Sequence, residues 1–349
     1  MPDFAIGVDL GGTNMRIAAV DAEGTLLETV TTSTQVARPR GEVLREMSEA
    51  IRAMAAKHAQ SRKWLGAGIG VPGIIDKRTG LLRESANLPG WHEYPVREEI
   101  ERLLGVPVIL ENDANAAALG ENWLGAAAGM DDMLMITLGT GVGGGIVLRQ
   151  QIWHGMTGMA GELGHVTIDP NGPPCGCGNN GCVEQYASAT AIARMAKQAV
   201  DSGNAPELAA IASGRAVSAR HVYSMAVRGY EPAQEIFRHV GWALGILMAD
   251  LVNAFNLHMY VVGGGVSAAW DMFSPALFAE VMKRSTVYTA TAPPEHLASP
   301  QDTHTGRPTI IARAILGSDA GLYGAARIPM VATEVMEKSH LGAQGIHLL

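Results

Sequence analysis

FAIGVDLGGTNMRIAAV, residues 4–20, decides the fold. Phe4–Val8 is a short apolar run, Gly11-Gly12 a break, and Met15–Val20 a second apolar run. Glycine accepts a positive φ and lets other groups approach the backbone. The stretch therefore reads as strand, tight turn, strand. DAEG (21–24) and TLLETV (25–30) add a second turn and a third strand. The pattern returns: MLMIT (133–137) runs into LGTGVGGG (138–145) and leaves through IVLR (146–149). MYVVGGG (259–265) is a strand running into a third glycine cluster. The second half thus repeats the opening of the first, as an internal duplication would.

Between these strands the period changes. Val43, Met47, Ile51, Met54 and Ala55 share one stripe of a helix over 42–60. GAGIGV (66–71) and VPVIL (106–110) read as buried strands, with a helix at 96–104 between them. A helix starts at Asp113 or a neighbour and stops at Gly125. Further helical spacing covers 190–200 and 233–256, where Ile236, Val240, Leu244, Leu247 and Leu251 line up, and a small-residue helix fits 317–327. Residues 286–308 read as a loop excursion, and 328–349 show no interpretable pattern. Alternating strands and helices make this an α/β protein, and 349 residues point to two lobes.

The formal net charge of −8 argues against nucleic acid as the main partner, since phosphate binding needs a basic footprint. MPDFAIGVDLGGT lacks the charged-then-apolar order of a secretory signal, and no run of about 18 apolar residues offers a membrane span. With three free-looking cysteines, these features place the chain in the cytosol.

Successive N–H groups in glycine turns form concavities that hold anions. Thr13 and Thr140 add hydroxyl donors, and Asp9 is placed to hold Mg²⁺ directly or through water. Each cluster taken singly can also be a plain hairpin turn. Neither G-x-x-x-x-G-K-[ST] nor a helix-opening G-x-G-x-x-G is present.

All three cysteines lie in GPPCGCGNNGCVEQYA (172–187), just after GELGH (161–165). His165, Cys175, Cys177 and Cys182 fit a tetrahedral Cys₃His zinc set. The spacing is not that of zinc fingers, so three buried thiols, or a redox pair plus one thiol, remain open. A Cys175–Cys177 disulfide would be strained. VILENDANAAALGE (108–121) places Asp113 just after a strand, where it can serve as a helix N-cap or as a catalytic acid.

Together, DLGGT, LGTGVGGG and VVGGGV resemble the phosphate and adenosine segments of the actin/Hsp70/sugar-kinase superfamily. E-x-G-H followed by C-x-C-G-x₂-G-C-x-E, and the E-N-D-A-N segment, resemble its ROK branch over residues 4–327. The resemblance implies a two-lobed actin-like ATPase fold, each lobe a ribonuclease-H-like mixed sheet flanked by helices, with ATP and sugar in the cleft. It implies a small lobe of 1–113 plus 318–349, and a large lobe of 114–317 with a zinc loop at 165–182. Asp113 would be the general base, and Gly73, Asn87, Asn112, Asp113, Glu162, His165 and Glu184 would contact sugar. Asp9, Gly11, Gly12, Thr13, Gly139, Thr140, Gly141, Gly263, Gly264 and Gly265 would line the ATP site, with Mg²⁺ accompanying ATP. Zinc on His165, Cys175, Cys177 and Cys182 would be structural, because four ligands leave no open position.

The segments N-L-x-x-W (Asn87 to Trp91) and EQYAS resemble those of the family's glucose kinases, which implies transfer to the 6-hydroxyl of glucose. Mannose, fructose, GlcNAc and ManNAc are the alternatives. A sugar-responsive repressor of this family carries an added N-terminal DNA-binding segment, for which Asp9 starts too early. Many members place Lys after the first-turn Thr, whereas this chain has Asn14. A homodimer is the family's usual minimum.

Overall fold

The computed structural model describes residues 2–34, 38–85, 87–296 and 308–345. By internal contacts the chain falls into two compact units. The first is Met1–Asp131, Gly145–Gly161 and Ser318–Leu349; the second is Asp132–Gly144 and Glu162–Gly317.

In the first unit, strands β1 (Asp3–Leu10), β2 (Asn14–Asp21) and β3 (Leu26–Ser33) form an antiparallel meander. Helix α1 (Arg40–His58) leads to β4 (Lys63–Val71), which pairs parallel with β1. β5 (Ile74–Asp76) and β6 (Leu81–Glu84) make a separate hairpin. Helix α2 (Val96–Leu104) then leads to β7 (Val108–Asn112), parallel to β4, and to helix α3 (Asp113–Trp123). The sheet order is β3-β2-β1-β4-β7.

The two faces of this sheet differ in side-chain size, as the two-residue strand period dictates. Phe4, Ile6, Val8 and Leu10 pack with Met47 and Ile51 of α1 in the larger core. On the other face, Ala18 and Val20 meet Leu322 and Ala326 of the C-terminal helix, Ala320–Gly345. Small residues there let that helix lie directly on the strands. It also packs against α3, where a methyl on Gly120 would strike the backbone of Ala320 and one on Gly324 that of Ala116. This close packing keeps α3 in the first unit, so the compact unit runs on to Asp131 where the sequence reading divides the chain after residue 113. The C-terminal helix also outruns its expected end at 327: Pro329 lies inside it, and Met330 is buried.

The second sheet has the order β10-β9-β8-β11-β12, the same arrangement as the first. Its strands are β8 (Met133–Leu138), β9 (Val142–Leu148), β10 (Gln151–Ile152), β11 (Met259–Gly263) and β12 (Ile310–Arg313). β11 pairs parallel with β8 and with β12. The repeated strand–turn–strand signal thus belongs to two sheets of one topology. The expected glycine turn at 138–145 is shorter, because residues from Val142 onward already belong to β9.

Helices α4 (Glu184–Ala187), α5 (Ala189–Asp201), α6 (Pro206–Ala212), α7 (Ala219–Val227), α8 (Glu231–Phe255) and α9 (Trp270–Arg284) belong to the second unit. Ile236, Val240, Leu244, Leu247 and Leu251 of α8 are buried as their spacing requires. The loop expected at 286–308 begins instead with helix α10 (Thr286–Thr291), whose N-cap Ser285 accepts the Tyr288 N–H at 2.9 Å. Tyr288 is buried, and residues 297–307 lie outside the described residues. Among the described residues, no helix is long and apolar enough to cross a membrane.

Candidate active site

The first unit presents its polar groups at the carboxyl ends of parallel strands. Strand register sets Asp9 of β1 level with Gly70 of β4, and Gly70 level with Glu111 of β7. Strand ends of this kind are where open α/β sheets bind ligands.

Asp9 leads into the first glycine turn. There the Gly11 N–H donates to Asn14 O at 2.9 Å. Thr34, at the end of β3, braces the turn by donating its N–H to Thr13 O at 2.9 Å and its hydroxyl to Gly11 O at 2.7 Å. Thr13 stays exposed, and Gly12 backs onto the Asn87 carbonyl. Burial raises the Asp9 carboxyl to about 6, and the like charge of Asp113 adds to the rise. Arg16 opposes it, while itself held by Asp319 at 2.6 Å. A desolvated carboxylate beside a second one suits a bound divalent cation, which relieves both costs.

At the β7–α3 junction the cap is Asn112, one residue before the candidate Asp113. Its Oδ1 accepts N–H groups from Ala114 at 2.9 Å and Asn115 at 3.2 Å. Its Nδ2 donates to Gly73 O at 3.2 Å, which ties two expected sugar contacts together. Asp113 is therefore the first helical residue, and its Oδ1 accepts the Ala114 N–H at 3.0 Å. Asn87 is exposed, whereas Trp91 is a core residue packed edge-on to Tyr94 at 5.7 Å.

Sequence reasoning missed Glu111, which is 2% exposed. Lys77 Nζ and His154 Nε2 each lie 2.7 Å from its Oε2. Its Oε1 accepts the Asn112 N–H at 2.9 Å and the Asn115 side-chain N–H at 3.1 Å. Burial pushes this carboxyl up, but the His154 hydrogen bond and the Lys77 charge outweigh it and bring it to about 2. The available signal was an acid at the end of an apolar strand, which demands a partner. The Lys77 and His154 partners are 34 and 43 residues away and carried no local mark.

In the second unit the glycine turn of Gly139, Thr140 and Gly141 is closed by Gly139 N–H to Gly141 O at 2.9 Å. The start of α5 braces it, with Ala189 N–H on Gly139 O at 2.9 Å and the Thr190 hydroxyl on Thr140 O at 2.8 Å. The third cluster joins it. Gly264, with φ of 81°, lies so close to the backbone of Leu138 that no side chain fits.

His165, Cys175, Cys177 and Cys182 converge, with one ligand atom from each lying within 4.8 Å of the others. Cys177 Sγ and Cys182 Sγ are 3.7 Å apart, and Cys175 Sγ and His165 Nδ1 are 3.6 Å apart. Zinc–sulfur bonds of about 2.3 Å in a tetrahedron give edges of roughly 3.8 Å. The set therefore has the dimensions for zinc, with Nδ1 as the ligand nitrogen of His165. No disulfide joins the three thiols. Burial pushes the Cys182 thiol up to about 12, a cost that a cation removes by binding the thiolate. Glu162 is exposed and precedes the short turn Leu163–His165. Glu184 opens α4, and its Oε2 accepts the Val142 N–H at 2.9 Å.

The structure thus gathers Asp9, Gly11, Gly12, Thr13, Gly73, Asn87, Asn112 and Asp113 in the first unit. It gathers Gly139, Thr140, Gly141, Glu162, His165, Glu184, Gly263, Gly264, Gly265 and the three cysteines in the second.

Comparison with known proteins adds a family. The ROK family model matches residues 5–329. A glucokinase of Halalkalibacterium halodurans is 40% identical over 269 residues, covering 76% of this chain and 81% of that one. A ROK hexokinase from Thermus thermophilus superposes with a TM-score of 0.76 at 33% identity, covering 95% of this chain and 99% of the other. A ROK family glucokinase from Streptomyces griseus, solved in complex with glucose and AMPPNP, superposes with a TM-score of 0.68 at 35% identity, covering 93% and 98%.

Proposed function

We infer the function from one premise: the chain belongs to the ROK family. It is an ATP-dependent sugar kinase. We propose that it transfers the γ-phosphoryl group of ATP to the 6-hydroxyl of glucose, giving glucose 6-phosphate and ADP. The observation that carries this reading is the β7–α3 junction, where Asn112 takes the capping role and leaves Asp113 as the first residue of α3, beside Asp9.

Phosphoryl transfer asks mainly for positioning and charge stabilisation. In this reading Asp113 orients the attacking hydroxyl and takes its proton late, as bonding to phosphorus acidifies that oxygen. An ordinary carboxylate is too weak a base to remove the proton earlier. Gly73, Asn87, Asn112, Glu162, His165 and Glu184 would hold the hexose hydroxyls, as the family resemblance implies. The glycine turns at Gly11–Thr13, Gly139–Gly141 and Gly263–Gly265 receive the nucleotide. Asp9 would hold the Mg²⁺, which supplies neutralisation of phosphate charge. Zinc on His165, Cys175, Cys177 and Cys182 would fix the loop that carries Glu162 and Glu184. His165 Nε2 is then the ring nitrogen facing sugar, since Nδ1 lies with the thiols. A thiol-rich zinc set belongs in a reducing compartment, so we place the enzyme in the cytoplasm; a homodimer is proposed on the family resemblance alone.

Initial rates with MgATP across glucose, mannose, fructose, GlcNAc and ManNAc test the assignment. Glucose should give the highest kcat/KM. A tenfold preference for another sugar would replace the substrate, and no turnover with any of the five would remove these hexoses as the substrate.

A further inference from the structure

Val142 is the first residue of β9, directly after the turn that this reading gives to the nucleotide. It is buried, and its backbone is gripped from both sides by segments of the cysteine loop. On one side its N–H donates to Glu184 Oε2 at 2.9 Å. On the other, Gly164, the residue before His165, lies so close to the Val142 carbonyl that a methyl on it would strike that group. Gly141 meets the same carboxylate. A methyl there would run into Glu184 Oε2 and come within 3.3 Å of its carboxyl carbon. Glu184 is thus pressed against the nucleotide turn, and the turn has no side chain where the carboxylate lies.

The contact extends along the chain. Glu184 opens α4, and α5 follows it immediately. Ala189 and Thr190 of α5 hold the carbonyls of Gly139 and Thr140 at 2.9 Å and 2.8 Å. The segment 184–190 therefore touches every residue of the turn.

We propose that Glu184 couples the two substrates: one carboxylate reads the hexose and also fixes the nucleotide turn, and Gly141 lacks a side chain for the sake of sugar binding. This rests on the reading of Glu184 as a hexose contact. Oε2 is committed to the Val142 N–H, and a carboxylate has a second oxygen, Oε1, for hydroxyl donors. A hexose that immobilises Oε1 immobilises the group holding Val142, and through it the N–H groups of the turn. Coupling of this kind is reciprocal, so nucleotide must tighten hexose by the same factor that hexose tightens nucleotide. A factor on the order of tenfold lies within the usual range of such couplings.

Two titrations of the full-length protein decide it. In the first, glucose is titrated with no nucleotide present. Gly141→Ala should weaken glucose on the order of tenfold, although the residue belongs to the nucleotide turn. Gly41→Ala, in helix α1 and with no atom within 4 Å of the added methyl, should leave the glucose Kd unchanged. In the second, Mg-AMPPNP is titrated with no sugar present. Glu184→Ala, which removes the acceptor of the Val142 N–H, should weaken it several-fold. Glu184→Gln, whose amide oxygen can still accept that N–H, should restore it.

A folded Gly141→Ala protein with a glucose Kd within twofold of wild type overturns the inference. So does a Glu184→Ala protein with unchanged AMPPNP affinity, and this second arm decides alone if Gly141→Ala fails to fold. If neither Glu184 variant moves the glucose Kd, the reading of Glu184 as a sugar contact fails instead.

Discussion

Two stretches would carry most of the proposed chemistry, and they are held in different ways. The junction around Asp113 sits between a regular strand and a regular helix, and a buried carboxylate braces it. Glu111 is compensated by Lys77 and His154 and also takes the N–H groups of Asn112 and Asn115. The loop from Glu162 to Glu184 has little regular structure, and the four side chains of its candidate metal set converge instead. A strand end needs only one anchored residue to fix its direction. The irregular, glycine-rich loop is tied by scattered backbone bonds, such as Val183 N–H to Val166 O at 3.0 Å and Ile168 N–H to Gly181 O at 2.9 Å, and a metal on the four converging side chains would add to them. Damage to the first should therefore appear in turnover and global stability, and damage to the second in sugar affinity.

The largest effect expected is on turnover. Asp113→Asn keeps an acceptor for the Ala114 N–H and leaves the Asn112 cap intact, so folding and glucose binding should persist. Loss of the proton acceptor should lower kcat by roughly 10²- to 10⁴-fold. Steady-state kinetics beside a thermal melt checks this, and near-wild-type turnover would remove Asp113 from the chemistry.

Next is the brace itself. Glu111→Gln leaves Lys77 and His154 facing an amide, and breaking a buried ion pair costs about 3 kcal/mol or more. The wild-type carboxyl is held at about 2 against an ordinary value of 4.5. A depressed acid contributes stability above its unfolded value and loses it as pH falls through its folded one. The gap between wild type and variant in urea unfolding should therefore be full above pH 4.5 and close as pH falls towards 2. A gap that does not change with pH would show that Glu111 acts by packing rather than by charge.

The contrast also explains what the sequence disclosed. The alternation of apolar runs and glycines placed β1, β2, β4, β7, β8 and β11, because each is a buried run; β7 passes straight into α3 and the others end in turns. The three cysteines of the candidate metal set were visible because cysteine occurs nowhere else in the chain. Glu111 was invisible because its partners come from a hairpin and a distant loop, and local pattern carries no record of tertiary pairing. The sequence left the cap of α3 open between Asp113 and a neighbour for a related reason: in N-D-A-N either side chain can cap, and the position where β7 ends decides for Asn112. The helix at 286–291 was missed because Thr-rich sequence has weak helix propensity. There the Ser285 cap and the burial of Tyr288 override it.

Asp9 offers a smaller and opposite effect within the first unit. Its carboxyl is raised from 3.8 to about 6, by burial first and by Asp113 second. An acid with a raised value contributes stability that is complete below its unfolded value and lost as pH rises through its folded one. Asp9→Asn should therefore match wild type below pH 3.8 and become the more stable protein above pH 6, by at most about 3 kcal/mol. The same variant should raise the KM for MgATP, so the residue would trade stability for nucleotide binding. Equal urea midpoints for the two proteins at pH 7.5 would show that the native fold does not carry this cost.

The smallest effect should fall on the cysteine loop, and it separates the two regions most clearly. Cys177 is exposed, so Cys177→Ser removes little packing and tests the metal set almost alone. Zinc content should fall below one per chain, and the glucose KM should rise about tenfold, a loss of about 1.4 kcal/mol. kcat at saturating glucose should stay near wild type, because the hydrogen bonds around Glu111 that brace the junction come from Asn112, Asn115, Lys77 and His154, all within the first unit. Treating wild type with a strong chelator should reproduce the variant, and restoring zinc should reverse the chelated protein but not the variant. A zinc-free protein with an unchanged glucose KM would mean that the loop holds its carboxylates without the metal. The difference between the two regions would then be one of sequence and not of mechanism.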